Sequence, residues 1–342
     1  MAKTHIIIDT LNLFFRSIHT VSPSLGIDAQ TGMAIHTILN SVRKSWRMFN
    51  GELAVFAHEG KSWRKQYYPK YKLNRELLRA MQSAKEQEDS KILFEALGDL
   101  VSYLKSETNV RNIQCPVAEA DDMIAIWVQT HPEDNHVIVS SDSDFVQLLK
   151  HPNVTIYNGV TDVIMTQEGL FNDKKQRLEF EVKSDGKLKV GKVNESFRPE
   201  PDWYEYAIFL KKIRGDKSDN IFSAYPGARI KGTKNIVGIR EAFDDRHSKG
   251  FKWNNFFLQR WVNEDQEEMV VKTQYELNHT LIDLEAQPEE IRSQCLSAIS
   301  DEKDSQKVDN VGIRFMQFCG RWKLNKISDS ATEFAKILNS KQ

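Results

Sequence analysis

Along the first half of the chain, short unbroken apolar runs that stop at polar or acidic residues alternate with longer stretches whose apolar residues recur at helical spacing. Ile6-Ile7-Ile8 stops at Asp9, Leu53-Ala54-Val55-Phe56-Ala57 at His58-Glu59, and Val137-Ile138-Val139 at Ser140-Ser141-Asp142-Ser143-Asp144. Unbroken runs of this length predict strands buried on both faces. Val110 to Ile113 and Val154 to Tyr157 add two more strand-like segments. Helical spacing covers Leu11 to Ile18, Thr31 to Phe49 (Ile35, Ile38, Leu39, Val42, Trp46, with Asn50-Gly51 closing it), Ile92 to Leu104 and Met123 to Val128. Strands and helices in alternation predict an α/β core with a mostly parallel central sheet. Asp9 then sits at a strand C-terminus, the usual ligand edge of such a sheet. On its own, Asp9 reads equally well as a cap on the helix that follows.

The second half is patterned differently. Phe145 to Leu149 predicts a short helix, and Asn172 to Pro201 alternates about Ser184-Asp185-Gly186 as a β-hairpin does. That hairpin is expected to be an insertion (about 172–201) without chemistry of its own. Trp203 to Ile213 is amphipathic, and Lys252 to Leu338 is helical in pattern with a loop around Ser300 to Asp309. Lys85 to Ser90 predicts a polar hinge. The expected organisation is a core over 1–220, containing an arch at about 61–90, followed by a helical region over 203–342.

At 342 residues with 40% hydrophobic side chains the chain can bury a sizeable core. The net charge of −1 conceals acids clustered in a few motifs and bases clustered elsewhere. Cys115, Cys295 and Cys319 are odd in number and lack metal-type spacing, which points to a reducing compartment. No apolar run reaches the roughly 18 residues of a membrane span, and Met1 to His5 leads straight into a strand. A soluble cytoplasmic protein without membrane contact is expected.

The acids carry the chemistry. Glu119, Asp121 and Asp122 begin a predicted helix, and Asp142 and Asp144 follow a predicted strand, so five carboxylates fall within 26 residues. Like charges held close cannot all stay ionised without a cation. In Gly215-Asp216-Lys217-Ser218-Asp219-Asn220 two further aspartates stand three apart, so both reach one ion if the turn is helical, although an Asx-rich surface turn has the same composition. With Asp9 and Glu59 these make nine candidate ligands from five segments. Hard oxygen donors select Mg²⁺ or Mn²⁺, and two ions about 3.5 to 4 Å apart promote in-line attack on phosphorus.

Lys61 to Arg79 complements that set with seven bases, one acid and the aromatics Trp63, Tyr67, Tyr68 and Tyr71, a composition suited to an unpaired nucleic-acid strand. A solvated basic helix is the bland reading. Tyr225 to Arg240 places glycines beside Arg229, Lys231 and Lys234, which suits a phosphate backbone.

Taken in order, Asp9, Trp63-Arg64-Lys65, Tyr71-Lys72-Leu73-Asn74-Arg75, Glu119-Ala120-Asp121-Asp122, Ser141 to Phe145 and Gly215 to Asn220 resemble the structure-specific 5′-nuclease (flap endonuclease) superfamily. The similarity is greatest to the phage 5′-3′ exonuclease and T-even phage ribonuclease H type. Leu277 to Leu284 and Arg314 to Phe318 also look like that family's C-terminal helices. The resemblance implies a Rossmann-like, PIN-like core, a helical arch, and a helical C-terminal region with a helix-three-turn-helix-like DNA-binding element. It implies a first metal on Asp9, Glu119 and Asp121, with Asp142 and Asp144 serving it or shared. Asp216 and Asp219 would surround the second metal, and Asp122 would stand close by. Arg64, Lys72 and Lys65 become the candidate catalytic bases. Lys61, Trp63, Tyr67, Tyr71, Arg75, Arg229, Lys231 and Lys234 become the candidate DNA contacts.

Two departures from the family pattern stand out. The family's acid after the second strand falls at Ala57 or Glu59, of which Glu59 keeps a carboxylate there. The turn after Gly215-Asp216 is expanded into Ile221 to Ile239. The implied function is metal-dependent hydrolysis near 5′ ends of DNA flaps, nicked duplex or RNA primers by a monomer. A single-stranded-DNA-binding protein or other replication proteins are candidate partners. The competing readings are a non-catalytic DNA-structure-binding protein of the same fold and a PIN-type endoribonuclease.

Overall fold

The apolar runs become the strands of one sheet. The computed structural model describes residues 2–20, 26–225, 237–263, 266–303 and 306–340. Among these residues a nine-stranded sheet runs in the order β3-β2-β1-β4-β5-β6-β7-β8-β9. Its strands are β1 (Thr4–Asp9), β2 (Leu53–Ala57), β3 (Arg111–Ile113), β4 (Asn135–Val139), β5 (Val154–Asn158), β6 (Val163–Thr166), β7 (Gly169–Phe171), β8 (Arg177–Val182) and β9 (Leu188–Val193). β3, β2, β1, β4 and β5 pair in parallel and form the core, and β6 to β9 extend it as an antiparallel meander. β6 and β7 are too short to show in the apolar pattern.

Successive residues of the central strands feed two different cores. Ile7, Val55, Ala57 and Ile138 point to one face of the sheet, and Ile6, Ile8, Ala54, Phe56, Val137 and Val139 point to the other. The second core is covered by α1 (Thr10–Thr20), α2 (Ile27–Phe49) and a long helix that follows α3 (Arg64–Tyr67) and α4 (Leu73–Ala80), namely α5 (Ala84–Glu107). The first core is covered by α6 (Ala120–Thr130) and α7 (Trp203–Arg214). Burial on both faces is why these strands read as unbroken apolar runs.

α5 removes the expected hinge at Lys85 to Ser90. Ser83 accepts from the Glu86 backbone N–H while Glu86 Oε2 accepts from Ser83 N at 2.8 Å, a capping box that starts the helix ahead of the charged stretch. The C-terminal helices divide between three places. α8 (Ile239–Asp244), α9 (Phe251–Phe257) and α10 (Val271–Ile282) pack with α7 around Phe209, Phe243, Phe256 and Phe257. α11 (Glu289–Lys303) joins the first core through Ile291, Cys295 and Ile299. α12 (Val311–Arg321) returns to the second through Phe315 and Phe318. A small antiparallel ribbon, β10 (Arg260–Val262) with β11 (Glu268–Val270), interrupts the stretch from Lys252 onwards expected to be helical in pattern. Residues 226–236, which include Arg229, Lys231 and Lys234, lie outside the described residues, so the expected helix-three-turn-helix is described only on either side of them. Among the described residues no helix is long and apolar enough to cross a membrane.

Candidate functional site

The strand order reverses between β1 and β4, and in a doubly wound sheet the C-terminal ends of such a pair open a crevice. Here the crevice has a volume of about 910 Å³. Asp9, Glu59, Glu119, Asp121, Asp142, Asp144, Asp216 and Asp219 all line it. The structure thus brings together eight of the nine carboxylates singled out in the sequence.

Local backbone chemistry sets each one. Asp9 ends β1 and accepts from the Asn12 backbone N–H at 3.2 Å and the Ser140 hydroxyl at 2.9 Å. Gly60 lets the chain press on the loop before α6: a Cβ there would lie 2.0 Å from the Cys115 carbonyl oxygen, and no side chain fits. The close approach seats Glu59, whose Oε2 accepts from Ala120 N at 3.2 Å. Glu119 is the N-cap of α6, with Asp121 and Asp122 in its first turn, where the helix dipole favours anions. Asp142 accepts from Asp144 N at 2.9 Å and opens a 3-10 helix, Ser143–Lys150. Asp216 does the same for the short 3-10 turn Lys217–Asp219 through Ser218 N at 2.8 Å.

Electrostatics separates six of the eight acids into two groups, while Asp219, although paired with Lys72 and Arg75, is raised by its burial. Glu119 is held down to about 2: burial opposes its charge, but Lys72 and Arg64 outweigh it. Asp216 is depressed below the usual carboxylate range because Lys211, 2.8 Å away, overcomes its burial. Asp9, Glu59, Asp121 and Asp142, in contrast, form no ion pair among the described residues, and all four are pushed upward. Burial is the largest cause in each case. Glu59 reaches about 7 through burial and then Glu119 and Asp9, and Asp142 about 7 through burial and then Asp144. Four buried oxygen donors without an ion pair of their own, with Asp9 adding to the rise of both Glu59 and Asp142, are a donor set short of positive charge, and a hard divalent cation fits it.

Asp122 takes a different part from the one expected. Glu119, Asp121 and Asp122 each offer an oxygen within 4.8 Å of the others, a spacing a metal can use. Yet Asp122 is fully buried, and both its oxygens are engaged. Arg64 grips them in a fork at 2.8 and 2.9 Å, Trp63 Nε1 donates at 3.1 Å and Gln287 Nε2 at 3.2 Å. Saturated by donors on the inner side of the helix, Asp122 holds α6 in place while its neighbour Asp121 faces the crevice.

The same geometry corrects several readings of the basic segment. Arg64 is 1% exposed and is tied to Asp122, to Glu119 at 3.0 Å and to the Leu281 carbonyl at 2.8 Å, so it cannot reach a phosphate in the crevice. Trp63 and Tyr71 are also buried, with no free ring face to stack on a base; the Tyr71 hydroxyl instead shares its one proton between Glu119 and Asp219, both at 3.1 Å. Lys61 and Lys65 line a separate depression, and Lys65 pairs with Glu76. Tyr67 is exposed but packs edge-on against Trp63 outside the crevice lining.

Lys72, Arg75 and Arg79 do reach the crevice. Lys72 has a left-handed backbone, φ 55°, costly for a side-chain-bearing residue and held by its N–H to the Asp219 carbonyl at 2.9 Å. Its ammonium contacts Glu119 and is kept charged: burial opposes the charge, but Glu119 and Asp219 raise its pKa above the ordinary lysine value. Arg75 and Asn74 fasten the start of α4 to the 216–219 turn through Asp219 and the Ser218 carbonyl.

Sequence reasoning missed Lys211 and Arg16. Lys211, in the last turn of α7, bridges Asp144 and Asp216. Arg16, on α1, donates to Ser141 Oγ at 2.9 Å at the crevice edge. The run of bases in the last turn of α7, just ahead of Gly215-Asp216, was the available signal for Lys211.

A parallel sheet with a carboxylate-lined crevice at its switch point, walled by basic α4, is the arrangement of a 5′-3′ exonuclease core. Residues 4–177 match the 5′-3′ exonuclease N-terminal resolvase-like domain, and the chain belongs to that family. In sequence it is similar to the ribonuclease H of Enterobacteria phage T4, with 33% identity over 132 residues, which are 36% of this chain and 41% of that protein. The chain therefore matches about two-fifths of the length of this curated relative. In fold it is similar to the D15 protein of phage T5 co-crystallised with metal ions, with TM-score 0.56 and 19% identity over 88% of this chain and 99% of the other. The same values hold for the T5 D15 flap endonuclease in a pseudo-enzyme-product complex with DNA and metal ions. The T5 5′-exonuclease with bound zinc has TM-score 0.51 and 19% identity over 97% of this chain and 100% of the other.

Proposed function

We propose that the protein is a two-metal-ion 5′ nuclease that hydrolyses phosphodiester bonds near the 5′ ends of DNA flaps, nicked duplex or RNA primers. The observation that carries the reading is the convergence of eight carboxylates from five segments on one crevice beneath the cations of α4. Asp9, Glu119 and Asp121 would hold one ion, with Glu59 completing the donor set beside them and Asp142 and Asp144 serving that ion or shared, and Asp216 and Asp219 would form the surroundings of a second. When bound, Mg²⁺ or Mn²⁺ supplies Lewis-acid neutralisation of charge on the phosphoryl oxygens during in-line displacement.

The chain's own residues do the rest. Lys72 rests on Glu119 and stands 3.9 Å from Asp219, a position from which its ammonium can exchange a carboxylate oxygen for one of a scissile phosphate. Lys211 bridges and orients Asp144 and Asp216, and its charge holds Asp216 ionised. Arg75 and Arg79 line the path of the incoming backbone. Arg64, Trp63 and Asp122 hold the first turn of α6 against α10, so that Glu119 and Asp121 stay aimed at the crevice. The reading of a non-catalytic binder drew on the ambiguity between Ala57 and Glu59, and a Glu59 carboxylate lining the crevice favours the enzyme over it.

The test is cleavage of 5′-labelled flap, nicked-duplex and RNA/DNA hybrid substrates with Mg²⁺ and with chelator. Short 5′ products that require the ion, and that disappear in Asp144→Asn while flap binding in Ca²⁺ persists, are expected. Equal turnover in Asp144→Asn, or turnover in chelator, removes the metal assignment.

A further inference from the structure

The hairpin of β8 and β9 looks like an inert insertion in the sequence, but its tip belongs to the crevice. Phe180, Val182 and Leu188 pack on the core, while Glu181, Lys183, Lys187 and Lys189 alternate with them and face solvent. Lys183 N donates to the Lys187 carbonyl at 2.8 Å, so the ladder runs to the turn and fixes where the tip points. Gly186, φ 83°, presses that turn onto α7: a Cβ would lie 2.3 Å from the Ala207 carbonyl oxygen and 3.0 Å from Lys211 N. The hairpin is thus seated on the same turn of α7 that delivers Lys211 to Asp144 and Asp216. As a result Lys187 lines the crevice together with Arg79, Gln82, Gln87 and Ser90. Its side chain is 70% exposed, and its nearest acid is Asp185, 4.0 Å from the ammonium.

We propose that the hairpin tip is a substrate contact, in which Lys187 neutralises a phosphate of the nucleic-acid strand lying in the crevice and Asp185 tempers that contact. The inference rests on the nuclease reading and extends it from the floor of the crevice to its rim. Lys187 is a positioning residue: it meets the backbone away from the carboxylates, binds ground and transition states alike, and therefore acts on KM rather than kcat. Glu181, directly across from Lys189 in the ladder, offsets that lysine, and Lys187 at the turn carries the effect.

The experiment compares wild type, Lys187→Ala and Asp185→Asn as full chains. Affinity for a flap DNA, a plain duplex and a single strand is measured in Ca²⁺ over a range of salt, and steady-state cleavage in Mg²⁺. Lys187→Ala is expected to weaken flap binding about threefold and to flatten the slope of log Kd against log salt by about 0.7 if the lost phosphate is on the single strand, or about 0.9 if on the duplex. KM rises by a similar factor with kcat kept. Asp185→Asn, which retains a turn-compatible side chain, is expected to shift affinity the opposite way. If wild type cleaves while Lys187→Ala keeps its affinity and salt slope, or Asp185→Asn weakens binding, this inference is overturned and the nuclease reading stands. If wild type neither binds nor cleaves these DNAs, the nuclease reading fails and takes the inference with it.

Discussion

Arg64→Ala is the perturbation that separates a role in the fold from a role in the reaction. The guanidinium makes two bonds to Asp122, at 2.8 and 2.9 Å, one to Glu119 at 3.0 Å and one to the Leu281 carbonyl at 2.8 Å, and it lies over the Trp63 ring at 4.7 Å. Burial opposes its charge, and Asp122 with Asp121 more than offsets that. Removing it strands a fully buried Asp122 carboxylate, and breaking a buried pair from one side costs about 3–5 kcal/mol. For 342 residues melting as one unit, an unfolding entropy of about 2.1 cal/mol/K per residue converts this to a Tm lowered by about 4–7 °C. Arg64→Lys keeps the charge but not the fork and should fall between wild type and Arg64→Ala. The double variant Arg64→Met/Asp122→Leu removes both charges together and should recover most of the lost stability. Tryptophan fluorescence melts and calorimetry give the numbers, and flap cleavage is followed on the same preparations. An Arg64→Ala protein that melts within about 1 °C of wild type but has lost its kcat would refute the reasoning, since the guanidinium would then be engaging substrate.

Three further outcomes follow from the site. Asp121→Asn should abolish Mg²⁺-dependent cleavage at unchanged or higher Tm, whereas Asp122→Asn should lower the Tm through a loss of about 1–3 kcal/mol of stability at its mismatched fork with Arg64; the reverse pattern would exchange their roles. Lys72→Ala should lower kcat by about 10²-fold or more while flap affinity in Ca²⁺ changes little, and an effect confined to KM would make it a positioning contact only. Glu59, raised from 4.5 to about 7 by burial, Glu119 and Asp9, binds its proton more tightly folded than unfolded. Its contribution to stability is therefore full below about pH 4.5 and lost as pH rises through about 7. In chelator, Glu59→Gln should consequently be more stable than wild type at pH 8, by on the order of 1–3 kcal/mol, and melt higher, with the gap closing towards pH 4.5. A gap of equal size at both pH values would contradict the charge imbalance assigned to the crevice.

The sequence by itself determined the sheet and its acidic edge. Ile6 to Ile8, Leu53 to Ala57 and Val137 to Val139 are apolar on both sides, which only a strand covered on both faces requires, and each hands over to polar residues where the chain leaves the sheet. Both facts are local, so they can be read from consecutive residues. The helix start at Ser83 was equally local and was overlooked because the charged stretch after it masked the Ser-x-x-Glu spacing. What only the tertiary structure decided was direction and depth. Asp121 and Asp122 are neighbours in sequence but about 100° apart around a helix, so one faces the crevice while the other is locked into Arg64 and Gln287. Arg64, Trp63 and Tyr71 carry the composition of a nucleic-acid channel, yet α10 closes over Arg64 from more than 200 positions away and buries it. Lys187 and Lys211 enter the crevice for the same reason in reverse. Whether a cation ends beside a phosphate or beneath a helix depends on which distant segment packs against it, and no window of consecutive residues contains that information.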